Sequence, residues 1–147
     1  MTPGGLVTIN ELLAAVLACL EGSHLVAYSD TGGVWSIGIG STKGVHAGMT
    51  ITPAQQAERF AEDQAPLVEV VKAMPLLAAA AYGDFGFNCG RGALLNVLAG
   101  RDTIGNPRHT TDASGKVRSG LVNRRHLEQV LLRLSKQFAP APAAPVT

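Results

Sequence analysis

The chain has 147 residues and a formal net charge of +1, from 12 basic and 11 acidic side chains. This length suits one ordinary domain with its own buried core and excludes a second full domain. Periodic apolar segments and mixed charges exclude a disordered chain. The apolar run from Leu12 to Leu20 is too short to cross a membrane and follows Glu11 rather than a basic cluster. We therefore expect neither stable membrane insertion nor a secretory signal.

The charge is unevenly divided along the sequence. Residues 1–70 hold two basic and seven acidic side chains, a net charge of −5, whereas residues 71–147 hold ten and four, a net charge of +6. A basic half favours encounter with an acidic polymer. Cell-wall polymers are favoured over nucleic acid, because the sequence has no recognisable nucleic-acid motif. A solvated basic face on the last helix is the alternative interpretation.

Cysteines and histidines show no spacing typical of a metal site. Cys19 and Cys89 lie in apolar stretches, which favours buried thiols over a disulfide. Four histidines are expected at the solvated surface: His24, His46, His109 and His126. We predict a protein that needs neither a metal nor another cofactor.

The first predicted element is a helix that begins with a capping box at Thr8 and Glu11. Apolar residues recur at helical spacing, and Gly22 supplies a stop. Glu21 therefore falls on the last turn. We predict that it is buried there, where the negative end of the helix dipole and apolar neighbours favour its protonated form.

A β-hairpin is predicted next. Its strands are Leu25 to Tyr28 and Val34 to Ile39, and the turn between them contains Asp30. Gly38 and Gly40 remove side chains from the second strand. Such glycines allow a ligand to approach closely, or they allow tight packing beneath the hairpin.

Helices dominate the remainder. A helix capped at Thr52 is predicted to continue through Glu62 and to bend or break before Pro66. An alanine-rich helix over residues 76–88 is expected to be buried, and Gly90 and Gly92 interrupt the helical pattern after it. Residues 100–119 are predicted to form a loop.

An amphipathic helix that contains Arg124 and Arg125 is predicted to be the last element. The end of the chain, rich in proline and alanine, cannot pack a core and is expected to be disordered. We therefore predict one catalytic domain over residues 1–136 and a tail over residues 137–147.

Four stretches, in order, resemble the phage-type lysozymes, the glycoside hydrolase family 24 that includes the T4 and lambdoid endolysins. The family hallmark is similar to E-G-x-x-L-x-A-Y-x-D-x-x-G-x-x-T-I-G-Y-G-H-T, and the corresponding stretch is EGSHLVAYSDTGGVWSIGIGST. The other three are GMTITPAQQAERFAEDQ, DFGFNCGRGAL and SGLVNRRHLEQVL. The resemblance implies a lysozyme-like α+β fold, mainly helical, with a small antiparallel hairpin lobe near the N-terminus.

The resemblance also implies catalytic roles. Glu21 would be the general acid that protonates the glycosidic oxygen, and Asp30 would activate or orient water and offset oxocarbenium charge. Ser36 stands where the family has threonine, and its hydroxyl could hold the water. This agrees with the chemistry of glycoside cleavage, which needs one protonated and one ionised carboxyl in different environments.

Substrate contacts are implied by the same resemblance. Gly40 and Thr42 would line the cleft, and Asn88, in the family's F-N-x-G motif, would contact sugar. Asparagine near a helix end is also commonly a cap or a buried hydrogen-bonding residue. Ile39 and Ser41 replace the family's tyrosine and histidine, which changes the floor of the cleft.

Arg124 and Arg125 match the family's R-R pair. We expect them to form a salt bridge with an acid of the first helix or of the hairpin, which could hold Glu21 in place.

The function implied is that of a muramidase, a monomeric endolysin that hydrolyses the β-1,4 bond between N-acetylmuramic acid and N-acetylglucosamine in peptidoglycan for host cell lysis. Inversion of configuration is expected if the carboxyls are about 6.5 to 9.5 Å apart. Synthesis in the host cytoplasm, holin-dependent release and action in the periplasm are implied by similarity. The alternatives are a lytic transglycosylase and a catalytically dead peptidoglycan-binding module.

Overall fold

The computed structural model of the chain describes residues 7–29 and 32–139. These residues contain five α-helices, one short 3-10 helix and a two-stranded antiparallel sheet, so the α+β prediction is confirmed. The chain divides into two compact units, Met1–Lys72 and Ala73–Thr147. Within the described ranges, no helix is long and apolar enough to cross a membrane. From residue 140 onward the predicted tail lies outside the described residues.

Helix α1 spans Ile9–Glu21 in the first unit. The predicted capping box is present: the Thr8 N–H donates to Glu11 Oε2 (2.8 Å), and the Glu11 N–H donates to Thr8 Oγ1 (3.2 Å). Gly22 ends the helix with φ of 85°, a conformation that glycine adopts without strain. Cys19 is exposed, so the prediction of a buried thiol is wrong for that residue. The fully buried side chains of α1 are Leu13 and Leu17.

The hairpin consists of β1, His24–Ser29, and β2, Trp35–Gly38. The pairing register shifts between His24 and Tyr28, which marks a bulge in β1. Over the bulge, β1 also bonds to residues 49–51: the Ala27 N–H donates to the Met49 carbonyl (2.8 Å), and the Ile51 N–H donates to the Leu25 carbonyl (2.9 Å). Strand β1 is therefore hydrogen-bonded along both of its edges.

Helix α2 spans Pro53–Val71 and begins with the predicted capping box of Thr52 and Gln55. Of the predicted bend or break before Pro66, the break is wrong, because the helix continues through that proline. Proline leaves the carbonyl of Glu62 without its usual helical donor. Glu62 and Pro66 are both exposed, and the freed carbonyl can therefore bind water. The buried apolar residues of α2, Phe60, Leu67 and Val71, lie on both sides of the proline in the sequence.

The second unit contains α3 (Leu76–Cys89), α4 (Arg91–Leu98), a 3-10 helix (Pro107–Thr110) and α5 (Ser119–Gln137). Helix α3 packs against both α4 and α5. Gly90 separates α3 from α4 with φ of 91°, whereas Gly92 lies inside α4, so only one of the two predicted interruptions is present. The buried apolar residues of α3 and α4 are Ala79, Ala80, Ala81, Phe85 and Leu94.

The predicted loop over residues 100–119 is ordered around the carboxylate of Asp102. This carboxylate accepts hydrogen bonds from the Thr103 N–H (2.8 Å) and Asn106 Nδ2 (2.8 Å), and it contacts Arg108 and His109 Nε2 (2.8 Å). Burial alone would raise the pKa of Asp102, but these donors outweigh it and hold the pKa well below its usual range. The His109 side chain is only 8% exposed, so the prediction of a solvated histidine is wrong there.

Candidate active site

Glu21 is the last residue of α1, and it is exposed rather than buried as predicted. It continues the stripe of Leu13 and Leu17 by one more helical turn. The helix ends at this turn, so the stripe emerges from the core and its last member reaches the surface. The sequence periodicity indicated the correct face but could not show where the core stops covering it.

Ser36 lies on β2 opposite Tyr28, one pair away from the Ser29 and Trp35 pair that ends the ladder. Its side chain is half-buried. Within residues 7–29 and 32–139, its hydroxyl makes no hydrogen bond. Asp30 follows Ser29 directly in the sequence and lies outside the described residues, so its predicted role stays a prediction.

A tight turn follows β2. The Ile37 N–H donates to the Ser41 carbonyl (2.9 Å), and the Ser41 N–H donates back to the Ile37 carbonyl (3.0 Å). Gly38 and Gly40 have φ of 66° and 79°, so both glycines are needed for the backbone of this turn. A Cβ on Gly38 would also lie 3.3 Å from Gln56 Cγ, which supports tight packing as the reason for that glycine.

The two sides of this turn differ in exposure. Gly40 and Thr42, both predicted to line a cleft, are exposed, whereas Ile39 is buried. Ser41 is buried as well, and its hydroxyl donates to the carboxylate of Asp63 on α2. Where the family has histidine, this chain therefore uses serine to fasten the turn to α2.

An open cavity of about 480 Å³ lies between residues 43–51 and α2. Five charged side chains line it: Lys43, Glu58, Arg59, Glu62 and Asp63. Among the predicted site residues that the structure describes, none lines this cavity.

Asn88 is exposed on the last turn of α3, in the second unit. Its Oδ1 accepts a hydrogen bond from Arg125 Nη2 (3.0 Å) and lies 3.7 Å from the thiol of Cys89, which is half-buried. Arg125 Nη2 also donates to Glu128 Oε1 (2.7 Å), and its Nη1 lies 2.7 Å from Cys89 Sγ. The ring of Phe85 lies 5.0 Å from the guanidinium carbon. Asn88 is thus at the surface end of a buried polar cluster.

Arg124 occupies the neighbouring part of the interface between α3 and α5. Its Nε and Nη2 donate to the carboxylate of Asp84, at 3.0 and 2.8 Å, and the pair is almost completely buried. The expected salt bridge to an acid of the first helix or hairpin is wrong for Arg125, whose ion-pair partner is Glu128 on its own helix. For Arg124 that expectation stays a prediction.

Glu128 completes the buried cluster. Burial and a hydrogen bond with Asp84 raise the pKa of Glu128 to about 9, although Arg125 opposes the shift. Among the described residues, Glu128 Oε2 is buried without a hydrogen-bond partner, which favours the neutral form of the carboxyl group. Near neutral pH Glu128 is therefore neutral, and it lies in one cluster with Asp84, Arg124 and Arg125.

The sequence patterns do not single out Asp84, Cys89 or Glu128 as members of one cluster. Two signals point to it in retrospect: Asp84 is the one acid in the alanine-rich stretch of α3, and Glu128 follows Arg124 and Arg125 by one helical turn. The structure brings these side chains together with Asn88 in the second unit. In the first unit, Glu21 ends α1, Ser36 lies on β2, Gly40 lies in the turn after β2 and Thr42 follows that turn.

A family model described as phage lysozyme matches residues 18–128. The fold is similar to an endolysin from Escherichia coli O157:H7 phage FAHEc1, with a TM-score of 0.67 and 24% identity over 86% of this chain and 94% of that one. The fold is also similar to the muramidase domain of SpmX from Asticaccaulis excentricus. The TM-score is 0.66, with 23% identity over 86% of this chain and 97% of that domain. A third similar structure is the active form of the P1 phage endolysin Lyz. Its TM-score is 0.65, and the two sequences are 23% identical over 95% of this chain and 91% of that one. No curated protein matches the sequence.

Proposed function

Because the chain belongs to the phage lysozyme family, we propose that it is an endolysin that hydrolyses the β-1,4 bond between N-acetylmuramic acid and N-acetylglucosamine in bacterial peptidoglycan. The single observation that carries this proposal is the family match, which spans residues 18–128 and so includes Glu21, Asp30 and Ser36. Family membership makes the protein a glycosidase-type enzyme with peptidoglycan as its substrate. The bond cleaved and the stereochemistry are the finer parts of the proposal.

In the proposed mechanism, Glu21 transfers its proton to the glycosidic oxygen as the bond from that oxygen to the anomeric carbon breaks. Asp30 accepts a proton from the water that attacks the anomeric carbon. Ser36 orients that water, and its position near the end of the hairpin ladder, opposite Tyr28, supports this role. The exposure of Glu21 supports its contact with a polymeric substrate.

We propose that the reaction inverts the anomeric configuration, because a water positioned between two carboxyls attacks the face opposite the leaving group. Proton NMR of a soluble peptidoglycan fragment, recorded during the first turnovers, would show the α-anomer before mutarotation. First appearance of the β-anomer would contradict inversion and indicate a covalent intermediate.

Turbidity clearing of permeabilised Gram-negative cells tests the enzymatic function. Glu21→Gln removes the proton donor, and we expect clearing to slow by roughly 100-fold or more. Glu69→Gln is the matched control, because Glu69 is also exposed near the C-terminal end of a helix and pairs with the exposed Lys72. This control should clear the suspension like the wild-type protein.

Two other outcomes would identify the alternatives. If both wild type and Glu21→Gln leave the suspension turbid but sediment with cell walls, the protein is a binding module without catalysis. If wild type clears the suspension but releases mainly 1,6-anhydro sugars, it is a lytic transglycosylase, in which a sugar hydroxyl replaces the water.

We further propose that the protein is made in the host cytoplasm as a monomer and reaches the periplasm through a holin. Fractionation of cells that express it alone or together with a holin tests the route. The protein should remain with the cytoplasmic fraction in the first case and cause lysis in the second. Lysis without a holin would contradict this route, and sedimentation analysis would test the monomer.

A further inference from the structure

We propose that Arg125 is a positioning residue that holds the amide of Asn88 with its Nδ2 group directed outward as a hydrogen-bond donor to the glycan strand. This inference rests on the proposed function, because it takes peptidoglycan as the ligand. It assigns Arg125 to the recognition of substrate through Asn88, although Arg125 itself does not contact sugar.

The chemistry of the two groups fixes the orientation of the amide. A guanidinium group carries only donors, so the atom that faces Arg125 Nη2 must be the carbonyl oxygen of Asn88. That oxygen lies 3.0 Å from Nη2, and the Cys89 thiol approaches it to 3.7 Å as a second donor. Burial is the main cause that raises the pKa of Cys89, so the thiol keeps its proton. Both acceptor positions of Oδ1 are thus occupied.

The guanidinium is itself held on several sides. Its side chain is 2% exposed, Nη2 donates to Glu128 Oε1 at 2.7 Å, and the ring of Phe85 lies beneath it. Glu128 is fully buried. Arg125 is therefore a rigid support, fixed by α3 and α5 together, for a side chain that is itself at the surface.

The outward group of Asn88 is its Nδ2 donor. Within the described residues, Nδ2 makes no hydrogen bond, and Asn88 is exposed. A glycan strand offers several acceptor oxygens. The N-acetyl carbonyl oxygen is a strong acceptor that, unlike a sugar hydroxyl, is not also a donor. A preoriented donor binds such an oxygen without the entropy loss of ordering a free side chain.

A double-mutant cycle on peptidoglycan cleavage tests the proposal. Asn88→Ala should raise KM roughly three- to tenfold, the loss of one hydrogen bond to a neutral group, with little change in kcat. Arg125→Met should raise KM similarly in the wild-type background and cause no further rise in the Asn88→Ala background. Arg133→Met, at an exposed arginine on α5, is the control and should leave KM unchanged. Equal effects of Arg125→Met in both backgrounds would overturn the proposal.

Asn88→Asp provides a second test that does not depend on the folding of Arg125→Met. The aspartate keeps an acceptor for Arg125 but presents an acceptor outward where Asn88 presents a donor. We expect unchanged or higher thermal stability together with a KM raised at least as much as in Asn88→Ala. A wild-type KM in Asn88→Asp would contradict an outward donor.

NMR separates failure of this inference from failure of the proposed function. In the full-length wild-type protein, the Asn88 side-chain amide should give an ordered resonance without any substrate present. Its order parameter should fall in Arg125→Met, provided that the backbone spectrum remains native. This result can be obtained even if the protein cleaves no peptidoglycan, and an equally ordered amide in both proteins would refute the positioning role.

Discussion

Ser36 is the residue at which this chain departs from the family pattern within the predicted catalytic set. Its side chain is half-buried, and in the proposed mechanism its hydroxyl holds the attacking water. Serine lacks the methyl group that restricts the rotamer of threonine. A less restricted hydroxyl holds its water less firmly, so the substitution should affect the rate more than binding.

We predict that Ser36→Ala lowers kcat up to roughly tenfold with little change in KM, because it removes one hydrogen bond to the attacking water. Ser36→Thr restores the family residue and should match or exceed the wild-type kcat. Initial rates against peptidoglycan concentration measure both. A kcat for Ser36→Ala equal to that of wild type would show that the hydroxyl does not hold the water.

Glu128 should make stability dependent on pH. Burial and Asp84 raise its pKa from the ordinary 4.5 to about 9, so between these values the folded state keeps a proton that the unfolded state releases. Stability should therefore fall as the pH rises through this window. Glu128→Gln mimics the protonated group and removes this dependence.

The comparison of unfolding free energies from pH 5 to pH 9 tests this prediction. Wild type should lose stability relative to Glu128→Gln by an amount on the order of a few kcal/mol across the window. The other ionisable groups of the cluster are Asp84, Cys89, Arg124 and Arg125, and they are the same in both proteins. Parallel curves would show that Glu128 is ionised in the folded protein.

Among the elements, helices α3 and α5 are joined by a buried ion pair in addition to apolar contacts. Arg124 and Asp84 are only 7% and 1% exposed, and Arg124 donates to both carboxylate oxygens. Removal of one partner would leave the other charge buried without compensation. The energetic effect of such a change is far larger than that of breaking a surface pair.

We therefore predict that Asp84→Ala lowers the free energy of unfolding by about 3 to 5 kcal/mol. Glu69→Ala is the surface comparison, because it breaks a pair whose side chains are 57% and 67% exposed, and it should cost about 0 to 1 kcal/mol. Urea denaturation of the three proteins measures both effects. Similar losses in the two variants would show that the buried pair adds no special stability.

The starts of α1 and α2 are predictable from local sequence, since each capping box satisfies backbone groups by contacts within three residues. Whether Pro66 breaks α2 is not predictable from local sequence. It depends on whether the freed carbonyl of Glu62 can reach water, which is a property of the folded surface. The Asp102 cluster escapes prediction for a related reason. Its donors come from a loop whose conformation is determined by that carboxylate itself.

For the whole molecule, the division into Met1–Lys72 and Ala73–Thr147 nearly coincides with the change from acidic to basic sequence near residue 70. The family and the fold could be predicted, because the motifs occur in order along the chain. The exposure of Glu21 could not be predicted from the sequence, because it depends on where the core ends along α1. The support of Asn88 by Arg125 depends on the packing of two helices, which no local pattern encodes.

Mass spectrometry of purified peptidoglycan digested by the full-length protein tests the central claim most directly. A muramidase that uses water should release fragments with reducing N-acetylmuramic acid ends, and Glu21→Gln should release almost none. Predominantly 1,6-anhydro ends, or reducing N-acetylglucosamine ends, would contradict the proposed hydrolysis of the bond after N-acetylmuramic acid.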